Sequence, residues 1–241
     1  IAVAGFGVRG LHRIEVPEPH AKRPFTKVVI DRTVCDSPLS RSGFIDGQGD
    51  GFGIFERWIL RLGYFTARRS GHDAFSGDLL VFLYPNKEVS ADFRQRLADY
   101  VEGGSHVLIV DAPANASSTA NALLHPFGMR MVTSPTPAGP LETPPGWPAG
   151  VPTRNAGQIE GGTPMIRVGG RPVAATVERG QGTITAIGFG AQFADLNMGV
   201  TGDTIPDAAM RNLYELEFRL LRHILSEGRR APEDPDRKSV V

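Results

Sequence analysis

Apolar residues in this chain fall into short unbroken runs that alternate with amphipathic stretches. KVVID, DLLVFLYP and HVLIVDAP are such runs. Each is too short for a buried helix and reads as a strand covered on both faces. YFTARR reads as a further strand. Between them the period changes to that of a helix. FGIFERWILRLG places Phe52, Phe55, Ile59 and Leu62 on one face, with Gly63 as the stop. SADFRQRLADYVEGG offers Ser90 as N-cap and Asp92 in the first turn. Its stripe is Phe93, Leu97, Tyr100 and Val101, and Gly103-Gly104 end it. SSTANALLHPFG reads as a short helix. The order strand, helix, strand, strand, helix, strand, helix predicts an α/β fold, with a largely parallel sheet between helices on both faces.

The flanking regions are patterned differently. Residues 129–163 are rich in Pro, Gly and Thr and predict an exposed excursion or flap without regular structure. TPMIRVGGRPVAATVERGQGTITAIGFG then predicts three strands, with turns at Gly169-Gly170 and at residues 179–182. A last helix over Asp207–Ser226 presents Leu213, Leu216, Leu220, Leu221 and Ile224 to a core. LHRIEV suits a strand, followed by a linker holding Pro17, Pro19 and Pro24. The organisation predicted is a linker or the end of an upstream segment over 1–26, one α/β domain over 27–228 and a flexible tail over 229–241. No internal repeat is visible.

Charge narrows the function classes. The 241 residues include 26 Lys+Arg and 26 Asp+Glu, so the formal net charge is zero. That balance supplies no global field for nucleic acid or an anionic membrane. No apolar stretch reaches the roughly 20 residues of a membrane helix. Cys35 is the single cysteine, so no intrachain disulfide forms. The chain starts at Ile1, which fits a processed protein or a piece of a longer one; the compartment stays open, an exported or membrane-associated parent included. Asn115-Ala116-Ser117 matches a glycosylation acceptor, a pattern short enough to arise by chance.

Gly5, Gly7 and Gly10 are spaced as G-x-G-x-x-G, and Asp31 follows about twenty residues on. A working dinucleotide site needs a helix after those glycines. Pro17 and Pro19 fall where its second and third turns would be, each costing about 3 kcal/mol inside a helix. No cofactor is therefore expected. Metal binding is not expected either. None of His12, His20, His72, His106, His125 and His223 pairs with another at ligand spacing. D-G-Q-G-D-G at 46–51 lacks the spacing and terminal Glu of a calcium loop. His72-Asp73, the one His–acid neighbour pair, reads as a solvated turn.

The segment DLLVFLYPNKEVSADFRQRLADYVEGGSHVLIVDAPANAS resembles the class I glutamine-amidotransferase-like fold. There a phrase of the form L-x-x-Y-V-x-G-G precedes the strand leading to a catalytic elbow. GQGTITAIGFGAQFADLNMG and the last helix are similar to that fold's non-catalytic branch, found in gliding-motility and intraflagellar-transport proteins and in a related bacterial domain of unknown function. The likeness covers about residues 27–226, and the turn Asn197-Met198-Gly199 is one residue shorter than the branch's pattern. It implies a flavodoxin-like, amidotransferase-like architecture with extra antiparallel strands near the C-terminus. Catalytic members carry a cysteine between glycines at the elbow, activated by a later histidine. This chain has IVDAPANAS there, and Cys35 follows a different strand. Ser117 and Ser118 read as N-caps of the next helix. No catalytic residue is expected.

Residues at the carboxyl ends of the strands form a coherent set, because open α/β sheets bind ligands there. They are Asp31 and Arg32; Tyr84, Pro85 and Asn86; Asp111 and Asn115; and, after the last strand, Phe189, Asp195 and Asn197, with the loop 43–51 beside them. Asp31, Arg32, Asn86, Asp111, Asn115 and Asn197 are the candidate ligand-binding residues. Asp and Asn are also ordinary loop and capping residues, so a structural reading stands beside the ligand reading. Two function classes follow. One is a non-enzymatic module of a larger bacterial protein or complex, binding a protein partner, a small ligand or a glycan. The other is a divergent hydrolase using Asp31 or Asp111 as general base.

Overall fold

A computed structural model describes residues 26–40, 49, 51–199 and 205–227. The glycine fingerprint at 5–10, LHRIEV, the linker, most of the 43–51 loop and the 229–241 tail lie outside the described residues. The elements are β1 (Lys27–Asp31), α1 (Gly53–Arg61), β2 (Phe65–Arg69), β3 (Leu79–Leu83), α2 (Ala91–Glu102), β4 (His106–Val110) and α3 (Ala120–Leu124). They continue as β5 (Arg130–Pro135), β6 (Gly139–Pro140), β7 (Pro152–Thr153), β8 (Gly157–Glu160), β9 (Thr163–Val168), β10 (Arg171–Arg179), β11 (Gly182–Ile187), α4 (Asp195–Met198) and α5 (Ala208–Glu227).

Seven strands form the central sheet in the order β2-β1-β3-β4-β11-β10-β9. The first five are mutually parallel. β10 and β9 add antiparallel strands at one side. Alternation along each strand divides the core. Val28, Ile30, Leu79, Val81, Leu83, Leu108 and Val110 pack with α1 and α5. Val29, Leu80, Phe82, Val107 and Ile109 pack with α2 and α3. Both faces are covered, which is why the strand segments read as continuous apolar runs.

Local signals set the helix ends. Ser90 Oγ accepts from Phe93 N at 3.1 Å and caps α2. Asp207 Oδ1 accepts from Met210 N at 2.8 Å at the start of α5. α1 has no cap of its own; Asp195, far away in sequence, accepts from Ile54 N at 2.9 Å. The chain leaves α1 through Gly63 at φ +84°, in the left-handed region that glycine enters without strain.

The excursion at 129–163 departs from expectation. β5 pairs with β8, and β6 with β7, both antiparallel. Met131, Leu141, Val151, Ala156 and Ile159 are buried. Prolines and glycines shorten these strands without preventing main-chain bonds such as Leu141 N to Val151 O at 2.8 Å. The segment is locked onto the sheet where Gly157 N donates to Gly188 O at 2.7 Å. A Cβ on Gly188 would lie 2.0 Å from Gly157 O, so only glycine permits that approach.

Among the described residues no helix is long and apolar enough to cross a membrane. One side chain in the core is out of keeping. Glu217 on α5 is fully buried, and neither carboxylate oxygen has a hydrogen-bond partner. Burial alone pushes its carboxyl well above the ordinary glutamate value. The folded state therefore holds a proton that the unfolded chain releases above about pH 4.3, and stability falls as pH rises past that point. Thermal melts of Glu217→Met across pH should lose much of this slope, with stability near pH 7 raised by about 1–3 kcal/mol.

Candidate functional site

The parallel strands β1, β3 and β4 end together, and three loops leave that rim. Asp31 closes β1 fully buried. Its carboxylate turns back on its own loop, accepting from Thr33 N at 3.0 Å and Val34 N at 2.8 Å. The turn brings Cys35 against Pro85 in an isolated bridge. The thiol is buried, and burial first and the Asp31 charge second push it well above the usual range, so it is a poor nucleophile. Arg32 donates to Ser37 O at 2.7 Å and lies 3.6 Å from Asp36.

Tyr84 follows β3 at φ +50°, the single non-glycine residue in the left-handed region among those described. Backbone of this kind is strained and tends to mark sites. Tyr84 N donates to Val110 O at 2.9 Å. Its ring meets Phe52 edge-on, centroids 4.9 Å apart. Burial, then the nearby Asp111 charge, raises its hydroxyl far above the usual tyrosine range. Asn86 stands exposed two residues on, its main chain held by Val34 O.

Asp111 occupies the elbow after β4. Its Oδ1 accepts from Ala112 N and from Asn115 Nδ2, both at 2.9 Å, and its Oδ2 accepts from the Ser118 hydroxyl. Burial pushes the carboxyl up to about 6 even though those donors act in the opposite direction. Asn115 Nδ2 also donates to Pro85 O at 3.1 Å, joining this loop to the one after β3. The amide of Asn115, in the glycosylation-like triplet, is thus engaged within its own rim at a half-buried position. Ser118 bridges Asp111 and the start of α3, accepting from Ala120 N at 3.2 Å. The N-cap position of α3 falls to Thr119, which makes no side-chain cap, rather than to Ser118 as expected; Ser118 sits one residue earlier and joins the first helical N–H to the carboxylate after β4. Ser117 lines the groove described next.

An open groove of about 450 Å³ runs along this rim. Asp36, Ser37, Tyr84, Asn86, Asn115, Ser117, Leu196 and Asn197 are among its walls. Asn197 Nδ2 donates to Ala191 O at 2.7 Å. Of the six candidates, Asn86, Asn115 and Asn197 come together in the groove. Asp31 and Asp111 lie buried behind it, and Arg32 reaches its edge through Ser37 and Asp36. Asp195 caps α1, and Phe189 packs on Phe193 in the core. Leu196, 76% exposed, is a wall residue that no pattern in the chain announces. Asp36 is the one carboxylate wall among the described residues; it is exposed and paired with Lys87 at 3.1 Å. His72 is exposed in the 3-10 turn Gly71–Phe75, its Nδ1 2.7 Å from an Arg96 nitrogen, and does not line the groove. No group of three or more metal-ligating side chains occurs among the described residues.

No family model matches this chain. No curated protein matches it either. Solved structures share its fold. The mmIFT52 N-terminal domain superposes at TM-score 0.56 and 10% identity, over 82% of this chain and 97% of that one. The cytoplasmic protein STM1381 from Salmonella typhimurium LT2 gives 0.53 and 11%, over 83% of this chain and 99% of that one. The cold-adapted beta-galactosidase from Rahnella sp. R3 gives 0.52 and 13%, over 84% of this chain and 32% of that one. This chain therefore spans about a third of the galactosidase. At such identities the likeness is one of fold.

Asp111→Ala removes the acceptor of three donors, one a main-chain N–H. A buried donor without a partner costs about 1–3 kcal/mol. Chemical denaturation should show a loss of roughly 3 kcal/mol, whereas Asp36→Ala should stay within about 0.5 kcal/mol of the parent.

Proposed function

We propose that residues 27–228 form a non-catalytic amidotransferase-like module that holds a polar ligand or partner segment in the rim groove. The observation that carries this reading is the elbow after β4. Where a nucleophile would stand, Asp111, Ala112 and Pro113 make a closed turn whose carboxylate is engaged by Ala112, Asn115 and Ser118. The flavodoxin-like assignment and the kinship with the gliding-motility and intraflagellar-transport branch belong to this proposal. The fold shared with the mmIFT52 domain, which the chain spans almost completely, supports it. Membership in a larger bacterial assembly is part of the same reading and rests on fold analogy.

Asn86, Asn115 and Asn197 are the ligand-binding residues of the proposal, with Tyr84 and Leu196 as apolar contacts. Amides beside an aromatic ring suit a neutral ligand rich in hydroxyls or peptide groups, a glycan included. Asp31 and Asp111 support the groove from behind rather than touch the ligand, and Arg32 sets its edge. That arrangement speaks against the hydrolase alternative. Both buried carboxylates are committed to main-chain and side-chain donors of their own loops, away from the open space where a substrate would sit.

A thermal-shift panel of neutral oligosaccharides, short peptides and nicotinamide cofactors tests this. A ligand at a hundred times its Kd raises stability by about 2.7 kcal/mol. Stabilisation by an oligosaccharide or peptide is expected, reduced at least about tenfold in affinity by Asn86→Ala combined with Leu196→Ala. Both side chains are exposed, so the fold should survive the change. Release of ammonia from glutamine, or stabilisation by nicotinamide cofactors alone, would contradict the proposal.

A further inference from the structure

The α1–α5 helix pair carries a second face with features of its own. Trp58 is buried, and its indole N–H has no acceptor. It packs edge-on against Tyr214 at 4.9 Å and Phe218 at 6.2 Å. Glu217, next to Phe218 in the chain, is buried with both oxygens unpartnered. Buried polar groups without partners are few in native proteins, and each needs a cause. Both lie in the interior of the helix pair, out of contact with solvent.

Outside these groups an open groove of about 450 Å³ is lined by Arg57, Trp58, Leu60 and Arg61. The Arg61 guanidinium lies over the Trp58 ring, 4.1 Å from its centroid. Neither Arg57 nor Arg61 forms an ion pair among the described residues. Glu56 on α1 is engaged by Arg68 and Ser40, and Glu215 on α5 by Arg219. Leu60 is 48% exposed, and Phe65, just beyond α1, is 55% exposed. Phe65 opens β2 opposite Lys27, the first residue of β1. This patch therefore sits toward the amino ends of the parallel strands, and the rim groove sits at their carboxyl ends.

We infer that this face docks an acidic segment of a partner protein. Carboxylates of the segment pair with Arg57 and Arg61, and an apolar residue of it lies over Leu60 and Phe65. The occupant follows from charge: among the described residues the groove offers guanidinium groups without ion-pair partners beside exposed apolar side chains. Arginine binds carboxylates through two parallel hydrogen bonds, and complementary charge sets the choice of partner. Trp58 and Arg61, stacked together, form the kind of aromatic and arginine anchor on which binding energy concentrates. This surface is independent of the rim groove.

The probe is a fluorescein-labelled synthetic peptide alternating Glu and Asp with Leu and Phe, compared with its counterpart in which every acid is Lys. Anisotropy should show the acidic peptide binding the full chain and the lysine peptide failing to bind. Arg57→Glu with Arg61→Glu should weaken the acidic peptide about tenfold, as should raising the salt to about 0.3 M. Leu60→Asp should weaken it independently, and Asn86→Ala should leave it unchanged. All these side chains lie at the surface, and circular dichroism checks that each variant folds. The inference is overturned if the acidic peptide does not bind, if both peptides bind alike, or if charge reversal has no effect. Binding of phosphatidylserine vesicles in place of the acidic peptide would also overturn it.

Discussion

One buried carboxylate ties the rim of this protein together. Asp111 leaves β4 where the chain must turn, and its main chain stays joined to the neighbouring strand. Asp111 N donates to Ile187 O at 3.1 Å, and Gly190 N donates to Asp111 O at 2.8 Å. Its side chain gathers Ala112, Asn115 and Ser118. Asn115 passes the constraint to Pro85, and Pro85 bridges Cys35 in the loop after β1. The loops after β1, β3, β4 and β11 thus share one chain of hydrogen bonds. In a buried setting each broken link leaves an unpaired polar group, which is why such networks hold one geometry rather than several.

The groove inherits its character from that network. The carboxylates turn inward, so the walls are left to amides, hydroxyls, Tyr84 and Leu196. Tyr84 is held at φ +50° between Phe52 on one side and Val110 O on the other. A strained residue persists only where its surroundings over-determine it. The excursion between α3 and β9 is tied to the end of β11. It is fixed by the Gly157–Gly188 contact, where two backbones approach too closely for any Cβ. The fold thereby holds a supported groove at one end of its strands and exposed arginine and apolar side chains on the helices toward the other.

Much of this was legible in the chain. KVVID, LLVFL and HVLIV announce buried parallel strands because both of their faces are covered. Ser90 and the Leu213–Ile224 stripe announce α2 and α5, since caps and periodicity are local properties. What stayed hidden is non-local. The direction of a carboxylate depends on donors that folding brings to it, so Asp31 and Asp111 read as rim ligands although they point into their own loops. The ladders at 130–160 hid beneath proline and glycine because single main-chain bonds to distant residues hold them. Glu217 sits one position from Leu216 on an otherwise regular helix, and nothing near it in sequence shows that it is buried without a partner. Leu196 became a groove wall only through tertiary placement.

The central claim is that the turn after β4 is a closed structural turn built on a desolvated carboxylate. A carbon-detected NMR titration of the Asp111 side chain measures this directly. The account predicts a midpoint of about 6, with a Ser118 hydroxyl proton in slow exchange with water. A midpoint at the ordinary aspartate value of about 3.9, together with a freely exchanging hydroxyl, would mean that the elbow is open to solvent and the account is wrong.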